Sequence, residues 1–573
     1  MTNPFATDLH GLARIVSCLP LLFLSLSGAS CAGAAEKTTA PDAIFLHGDI
    51  YTGVRAERAQ AIAVLADLIM AIGSDAEIEK LKGKRTRIID LSGHFVMPGF
   101  NDAHVHLANA GFEKLDVNLV GARSLAEMQE RIAARAKTTA PGEWITGRGW
   151  DHTLWPGGKL PTRQDLDEFT GGHPAIFTRV DGHMAVANSA ALKFAGISRS
   201  TPDPAGGKID RDREGEPTGV LRETAKDGLL AKVPRPSLAQ RRRALEFALA
   251  DAAHWGITSA QDNSTWEDFL VLEELEREGK LTLRITEWLP FDAPLSLLET
   301  HRSHHPQSDP MLHTSMLKGF MDGSLGSRTA ALLAPYADDP GNTGLPRYAQ
   351  GKLNQMAVER VRAGFQLGFH AIGDRAVEMA LDAFAAAESD ARQRGETPAR
   401  GLRFRVEHAQ VTTPQQVKRF HELGVIASVQ PNHLLTDMRW AEAHLGKERA
   451  AYSYAWKDFV EAGVPVAFGT DYPVEPITPF RGLYAAVTRR SEDGKQEYFP
   501  GQKLTIARAI AAYTTGAAYA EFGERDKGRL EPGMVADFVV LDRDITRIEP
   551  AAILRTQVLR TVVAGKTVYE SSR

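Results

Sequence analysis

Short strand-like runs and helical patterns alternate through the middle of this 573-residue chain, and this alternation constrains its fold more than any other feature. Between residues 98 and 525, eight apolar runs bounded by turn residues are separated by amphipathic helical patterns. The candidate strands end near His106, Asp262, Trp288, Met321, His370, His408, Gln430 and Thr470. Eight strands with intervening helices predict an α/β protein of the (β/α)8 barrel type.

Helix start signals support this alternation. The segment Ser124-Leu-Ala-Glu127 has the form of a capping box before an amphipathic run. Ser237 begins another such run, which ends at Gly256. Helical periodicity also covers residues 376–387 and 414–423.

One gap in the alternation is oversized. About 150 residues separate the first candidate strand from the second, whereas a simple βαβ unit needs about 30. The gap contains aromatic and Gly/Pro-rich stretches at residues 144–166 and 202–219. We therefore predict a subdomain inserted after the first barrel strand, at about residues 140–235, over the barrel mouth.

The sequence on either side of the barrel predicts β-strands. Short apolar runs punctuated by Gly and Asp lie at residues 43–46, 61–65, 68–72 and 87–91, and similar runs return at 536–541 and 558–563. The termini of a domain are often close together. Residues 36–97 and 526–573 are therefore predicted to complete one composite β-sandwich domain.

The first 35 residues have the pattern of a secretory signal. Arg14 precedes an apolar run over residues 15–26, and small residues follow it. This run is shorter than the about 20 apolar residues of a comfortable membrane span. We expect a signal peptide at residues 1–35, cleaved near Ala34 or Ala35, and a periplasmic or extracellular mature protein. An uncleaved anchor is the alternative.

The cysteine count agrees with this interpretation. Both cysteines, Cys18 and Cys31, lie in the signal segment, so a mature chain cut after it contains no disulfide. A membrane-anchored lipoprotein with lipid on Cys31 is a further alternative, although Gly28 stands where such signals usually carry leucine. No membrane span is expected after processing.

The distribution of charged residues narrows the classes of molecule that the protein is expected to bind. The net charge is −5, acidic and basic residues are mixed, and the short run at residues 241–243 is typical of a solvated helix face. We therefore expect a small-molecule substrate and no nucleic-acid partner. The sequence allows a homo-oligomer without specifying one.

Six metal-capable residues lie at or near the ends of the candidate strands, namely His104, His106, Lys318, His370, His408 and Asp471. His104 and His106 are two apart on one strand, so their side chains point the same way. The C-terminal strand ends of such a barrel face one cavity, where active sites lie. Taken singly, His370 or His408 is more often a hydrogen-bonded core residue. Their shared position predicts one metal site.

Imidazole and carboxylate together suit Zn²⁺ and related divalent ions. Lys318 is the unusual member, because an ammonium repels a metal. Burial beside cations lowers the pKa of a lysine, and a neutral amine can take up carbon dioxide to form a carbamate whose two oxygens bridge two ions. A salt-bridged barrel lysine is the alternative. Asp471 is then predicted to move a proton from the attacking water to the leaving nitrogen, as general acid/base.

The residues around these positions resemble the amidohydrolase superfamily, and specifically amidohydrolase family 3, the branch that includes N-substituted formamide deformylases. The matching segments include Val96-Met-Pro-Gly-Phe-Asn-Asp-Ala-His-Val-His106, Val406-Glu-His-Ala-Gln410 and Gly469-Thr-Asp-Tyr-Pro-Val474, with others at residues 181–189, 318–328, 370–376 and 530–538. The resemblance implies a barrel that carries a β-sandwich.

The resemblance also implies roles for individual residues. His104 and His106 would hold a more buried ion, His370 and His408 a more exposed one, and carboxylated Lys318 would bridge two Zn²⁺ ions. The implied residues on the substrate side are Asp181, Gly182, His183, Arg328, Gln430 and His433. For the first three of these, loop turn chemistry is the alternative.

These features together predict a hydrolase that acts on carbon–nitrogen bonds other than peptide bonds, with an amide, N-acyl or N-formyl linkage as its target. A deaminase with a single metal ion is one alternative, although deaminase relatives generally lack the bridging lysine. A catalytically inactive barrel used as a binding protein is the other, although such proteins usually lose a ligand.

Overall fold

The structure is a computed structural model that describes residues 40–54, 57–396 and 401–572. The predicted signal peptide, with Cys18 and Cys31, lies outside the described residues. Within the described ranges, no helix combines the length and apolar character needed to cross a bilayer. Export, the lipid anchor, the homo-oligomer and the proposed domain limits stay predictions.

Six strands come before the barrel in the chain: β1 (Ala43–Leu46), β2 (Asp49–Ile50), β3 (Ala61–Leu65), β4 (Leu68–Gly73), β5 (Arg87–Asp90) and β6 (Phe95–Pro98). Four of them form one sheet in the order β4-β3-β1-β5. All residues of β1 and nearly all of β3 are buried, and alternate residues belong to two different hydrophobic clusters, so both faces of this sheet are covered.

The first barrel strand, β7 (Phe100–Val105), is followed by an insertion with its own sheet. Its strands are β8 (Val117–Asn118), β9 (Ile145–Trp150), β10 (Ala175–Arg179), β11 (Met184–Ala187), β12 (Gly207–Arg211) and β13 (Pro217–Glu223). They pair in the order β12-β13-β11-β10-β9-β8. Trp150 and Trp155 are buried in this subdomain's own core. The tryptophans therefore serve packing there.

Seven further strands complete the barrel: β14 (Ile257–Asp262), β15 (Arg284–Pro290), β16 (Leu312–Phe320), β17 (Gln366–Ala371), β18 (Arg405–His408), β19 (Ile426–Val429) and β20 (Val466–Phe468). With β7 they form one parallel sheet of eight strands in chain order. A parallel bridge between Val105 and Tyr472 joins its two edges. The predicted (β/α)8 barrel is confirmed, and it is nearly closed.

The C-terminal strands β21 (Phe538–Leu541), β22 (Val558–Val563) and β23 (Lys566–Glu570) join strands from the other end of the chain. The resulting sheet has the order β2-β6-β21-β22-β23. Residues of this sheet and of the β4-β3-β1-β5 sheet share one hydrophobic cluster. In it the rings of Phe45 and Phe538 pack edge to face at 4.9 Å. Both ends of the chain therefore build the predicted pair of β-sheets.

Helices connect the strands. In chain order they are Asp75–Glu79, Leu107–Leu115, Leu125–Ala136, Arg163–Asp167, Ser189–Ala195, Thr224–Leu230, Leu238–His254, Trp266–Arg277, Leu295–His304, Gln350–Arg362, Asp374–Gln393, Pro414–Leu423, Pro431–Asp437, Ala441–Leu445, Lys447–Ala450, Trp456–Glu461, Pro479–Thr488, Ile506–Ala511, Ala517–Ala520 and Pro550–Ile553. Both predicted helix starts are present, but the capping box predicted at Ser124 is only half formed, because the Glu127 carboxylate accepts from the Arg123 amide instead of the Ser124 amide. The Ser124 hydroxyl accepts from the Glu127 amide at 3.1 Å, and Ser237 forms a full capping box with Gln240.

A glycine allows the helix that follows His106 to pack closely on helix Leu238–His254. A Cβ atom built at Gly111 lies 1.9 Å from the carbonyl oxygen of Ala244, far inside van der Waals contact. We expect Gly111→Ala to lower the free energy of unfolding by about 1–3 kcal/mol through overpacking, measured by chemical denaturation.

The matched control for this substitution is Gly228→Ala. Gly228 lies in helix Thr224–Leu230 with open space around the position of a Cβ atom, so alanine there should preserve or raise stability. Equal free energies of unfolding for the two variants would contradict the close helix contact at Gly111.

Candidate active site

The barrel brings all six predicted metal-capable side chains into one cavity. They come from five strand ends: His104 and His106 from β7, Lys318 from β16, His370 from β17, His408 from β18, and Asp471 from just beyond β20. The His104 ring centroid lies 5.4 Å from that of His106 and 4.9 Å from that of His408. The cavity is at the C-terminal end of the barrel, as its fold requires.

Three lone-pair atoms converge at one side of this cavity. His106 Nδ1 lies 3.2 Å from the Asn263 carbonyl oxygen, which can only accept, so the proton is on Nδ1 and Nε2 is free. His104 Nδ1 likewise donates to Glu407 at 2.7 Å. The two Nε2 atoms lie 3.1 Å and 3.6 Å from Asp471 Oδ1, which has no hydrogen-bond partner. Such a convergence of acceptors fits a cation.

Two further imidazoles stand beside this group. The His370 and His408 ring centroids are 4.5 Å apart. His370 Nε2 donates to the Gly323 carbonyl oxygen at 3.0 Å, which leaves its Nδ1 as the free nitrogen. His408 Nδ1 is buried without a hydrogen-bond partner. Burial holds the pKa of His408 well below its usual value, so this ring is neutral and able to bind a metal.

Lys318 lies among these ligands with 2% of its surface exposed. Its Nζ is 3.0 Å from His104 Nε2, so its hydrogen bond is to an imidazole rather than to a carboxylate. Burial lowers the pKa of Lys318 to about 8, against the opposing attraction of Glu407. Burial also lowers the pKa of His104 to about 3, and the lysine contributes to that shift. The lysine is therefore poised to lose its proton.

A buried carboxylate beneath the cavity orients His104. Glu407 accepts hydrogen bonds from His104 Nδ1 at 2.7 Å, from Arg405 Nε at 2.8 Å and from Ser428 Oγ at 2.7 Å. Burial raises the pKa of Glu407, but Arg405 and His104 outweigh it and bring the value to about 2. The resulting anion fixes the tautomer of His104, as carboxylates do for metal-binding histidines.

Glu407 is not among the site residues predicted from the sequence. A sequence signal was present, because Arg405 and Glu407 are two charged residues on the same face of a strand that is buried along its whole length. Their pairing with a histidine 303 positions away could be found only from the fold.

Removal of the Glu407 charge provides a test of this arrangement. We expect Glu407→Gln to weaken divalent metal binding by about 10–100-fold, because the orienting partner of a ligand histidine is neutralised. Equilibrium dialysis against Zn²⁺ with metal counting measures the change. Asp390→Asn, on the outer surface of helix Asp374–Gln393, is the control and should bind metal like wild type. Unchanged affinity in Glu407→Gln would contradict its role.

Backbone strain marks the same positions. His408, Ala409 and Asp471 have φ values of 72°, 41° and 60°, in the left-handed region that residues other than glycine rarely adopt. Strain of this kind persists only where the surrounding structure imposes it. For Asp471 the restraint includes a hydrogen bond from its amide to the His104 carbonyl oxygen at 2.8 Å. Two candidate ligands are therefore held in fixed orientations.

His433, which was predicted on the substrate side, lies against Asp471. The Gln410 amide nitrogen is 3.1 Å from His433 Nδ1, and the same nitrogen also faces an Asp437 carboxylate oxygen at 3.5 Å. A carboxylate can only accept from it, so Gln410 donates to Nδ1 and the proton of His433 is on Nε2. His433 Nε2 is 3.4 Å from Asp471 Oδ2. Burial lowers the pKa of His433, but contact with Asp471 leaves it raised.

The other predicted substrate residues lie in different places. Gln430 follows β19, is buried, and has an Oε1 atom without a hydrogen-bond partner. Arg328 pairs with Asp338 at 2.8 Å. Both belong to barrel loops, where a substrate-binding role stays a prediction.

Asp181, Gly182 and His183 form the exposed turn between β10 and β11 of the insertion. Their contacts are local: Asp181 pairs with Arg179, the Gly182 carbonyl accepts from Lys226 at 2.6 Å, and His183 faces Glu223 at 3.1 Å. The structure does not bring these three residues into contact with the metal-capable group. Their part in substrate binding stays a prediction.

Comparison with known proteins agrees with this geometry. The amidohydrolase family model matches residues 87–569. This chain belongs to the amidohydrolase family. The amidohydrolase is 34% identical over 541 residues to Protein LONG AFTER FAR-RED 3 of Arabidopsis thaliana, covering 92% of this chain and 91% of that protein. It is 28% identical over 548 residues to N-substituted formamide deformylase of Arthrobacter pascens, covering 92% and 98%.

A solved structure supports the same assignment. An uncharacterized metal-dependent hydrolase from Pyrococcus horikoshii OT3 aligns with this amidohydrolase at a TM-score of 0.73 and 29% identity, over 89% of this chain and 99% of that chain. The family resemblance inferred from the sequence motifs is confirmed. The amidohydrolase is therefore a hydrolase, and its barrel cavity contains the candidate metal-binding residues.

Proposed function

We propose that this amidohydrolase cleaves a carbon–nitrogen bond of an amide, N-acyl or N-formyl group in a small molecule, using water and two bound Zn²⁺ ions. The observation on which the proposal rests is the meeting of unprotonated imidazole nitrogens and the unpartnered Asp471 Oδ1 in one buried cavity. Similarity to an N-substituted formamide deformylase supports the choice of bond.

The donor set fits a pair of divalent ions. His104, His106 and Asp471 would hold one, and His408 with the neighbouring His370 would hold the other, while Lys318 lies against His104. Uptake of carbon dioxide by the neutral Lys318 amine would form a carbamate and release one proton, and its two oxygens would reach both ions. Bound divalent ions lower the pKa of water and polarise a substrate carbonyl.

Asp471 is the general base and acid in this proposal. Burial raises the pKa of Asp471, but the surrounding imidazoles, His104 first, outweigh burial when they carry a proton and then hold the value well below the ordinary range. The carboxylate is therefore ionised at neutral pH. It can accept a proton from the attacking water and return that proton to the leaving nitrogen.

His433 prepares Asp471 for this task. Its Nε2–H lies 3.4 Å from Asp471 Oδ2 without a formed hydrogen bond, so the ring is a close polar neighbour of the carboxylate. The same N–H is available to a substrate oxygen that approaches Asp471. Because Gln410 fixes the tautomer of His433, the donor is in place before substrate arrives.

A substrate screen tests the proposal. Zinc-loaded enzyme is supplied with N-acyl amino acids, N-formyl amines and small cyclic amides, and release of amine and carboxylate is measured. We expect turnover of at least one class and none with Lys318→Ala. Release of ammonia from an amino-substituted ring would instead indicate a deaminase. Metal binding without any turnover would favour a binding protein.

We also propose that residues 1–35 direct export to the periplasm or the cell exterior. The supporting pattern is Arg14, the apolar run and the small residues that follow. Mass spectrometry of the mature N-terminus should find it near Ala35. An N-terminal lipid on Cys31 would indicate a lipoprotein, and an intact Met1 would contradict cleavage.

A further inference from the structure

A second group of metal-capable side chains lies between two helices that follow barrel strands β14 and β15. Glu273 belongs to helix Trp266–Arg277, His304 ends helix Leu295–His304, and His305 follows it. Glu273 Oε2 is 3.4 Å from His304 Nε2 and 3.9 Å from His305 Nε2. None of these residues belongs to the cavity group.

His305 is held in a form suited to binding a metal. Its Nδ1 donates to Glu287 Oε1 at 2.7 Å, and Glu287 is fixed in turn by Thr314 Oγ1 at 2.8 Å. The opposite nitrogen, Nε2, is buried without a hydrogen-bond partner, in a residue with 4% of its surface exposed. A buried ring nitrogen without a partner is unfavourable in either protonation state. The carboxylate behind the ring repeats the arrangement found behind metal-binding histidines.

The distances suit a small ion. Bonds of about 2.0–2.1 Å in a tetrahedral site place ligand atoms about 3.3–3.4 Å apart. The Glu273–His304 distance already matches, and the Glu273–His305 distance needs a shift of about half an ångström. The carboxylates of Glu287 and Asp309 also face His305 and add negative charge around the site.

We propose that Glu273, His304 and His305 bind one divalent transition-metal ion of the Zn²⁺ class, outside the active site. The ion would link helix Trp266–Arg277 to the end of helix Leu295–His304. Its ligands are two imidazole nitrogens and one carboxylate oxygen, with water completing the coordination. The site is separate from the hydrolytic chemistry and stands whether or not the proposed function holds.

Metal counting tests the proposal with zinc alone. Metal-free protein is dialysed against Zn²⁺, and wild type is compared with His304→Ala and Glu273→Gln. The His304 side chain is 48% exposed, so its loss should leave the fold intact. Wild type should bind one more zinc ion per chain than either variant, or bind it at least tenfold more tightly. His254→Ala, at the exposed end of another helix, should match wild type.

Fluorescence gives an independent readout. The Trp266 ring centroid lies 4.9 Å from that of His305 and 5.7 Å from that of His304. Cu²⁺ bound at this site should therefore quench Trp266 in protein whose active site is first loaded with Zn²⁺. The quenched component should disappear in both Trp266→Phe and His304→Ala. Equal quenching and equal zinc content in wild type and His304→Ala would overturn the proposal.

Discussion

Asp471→Asn should reduce turnover by about 10²–10⁴-fold, the contribution of a positioned general acid/base. Asparagine keeps an oxygen next to the Nε2 atoms of His104 and His106, so zinc content should remain close to wild type. It cannot accept the proton of the attacking water. Steady-state kinetics on the substrate found by screening, together with metal counting, separate these two effects.

A surface carboxylate provides the control for the Asp471→Asn experiment. Asp390→Asn removes a carboxylate that pairs with Arg362 on the protein surface, and its turnover should equal that of wild type. Undiminished turnover in Asp471→Asn would reject Asp471 as the proton shuttle. Loss of zinc together with turnover would assign Asp471 a structural ligand role only.

If the proposed function holds, Lys318→Ala should remove a bridge between two bound ions. Loss of a residue that only orients a metal ligand weakens metal binding by about 10–100-fold. We expect Lys318→Ala to weaken metal binding by more than this. Turnover in the presence of zinc and bicarbonate should fall with it, because the bound ions would supply the activation of water. The Lys318 amine is buried and has a pKa of about 8, so the neutral form that reacts with carbon dioxide is accessible near neutral pH.

Carbon-13 NMR distinguishes a carbamate on Lys318 from an unmodified lysine side chain. Zinc-loaded wild type prepared with labelled bicarbonate should show a carbamate resonance that is absent from Lys318→Ala. Added acetate should restore part of the activity of Lys318→Ala by supplying the missing carboxylate. Full metal content and full turnover in Lys318→Ala would contradict a bridging role.

Much of the fold could be predicted from the sequence because the barrel strands are short, apolar and bounded by turn residues. Each predicted strand end lies close to the observed one; His408, for example, ends β18. The insertion was harder to delimit. Its first strand, β8, has only two residues, so it shows no periodicity that a sequence pattern could reveal.

The site could be predicted only in part. The histidines, Lys318 and Asp471 were found because their residue types and strand-end positions carry chemical meaning. The tautomers of His106 and His433 could not be predicted, because they depend on the Asn263 carbonyl and on Gln410, which only the folded chain brings into contact. The pairing of Glu273 with His304 and His305 was missed for the same reason.

Under the proposed function, side chains from five strand ends surround two metal ions in one cavity. Anomalous diffraction at the zinc absorption edge, from crystals grown with Zn²⁺ and bicarbonate, tests it most directly. We predict one peak bounded by His104, His106 and Asp471, a second bounded by His370 and His408, and added density on Lys318 between them. A cavity without zinc, in which these side chains only hydrogen-bond to one another, would contradict a two-metal site.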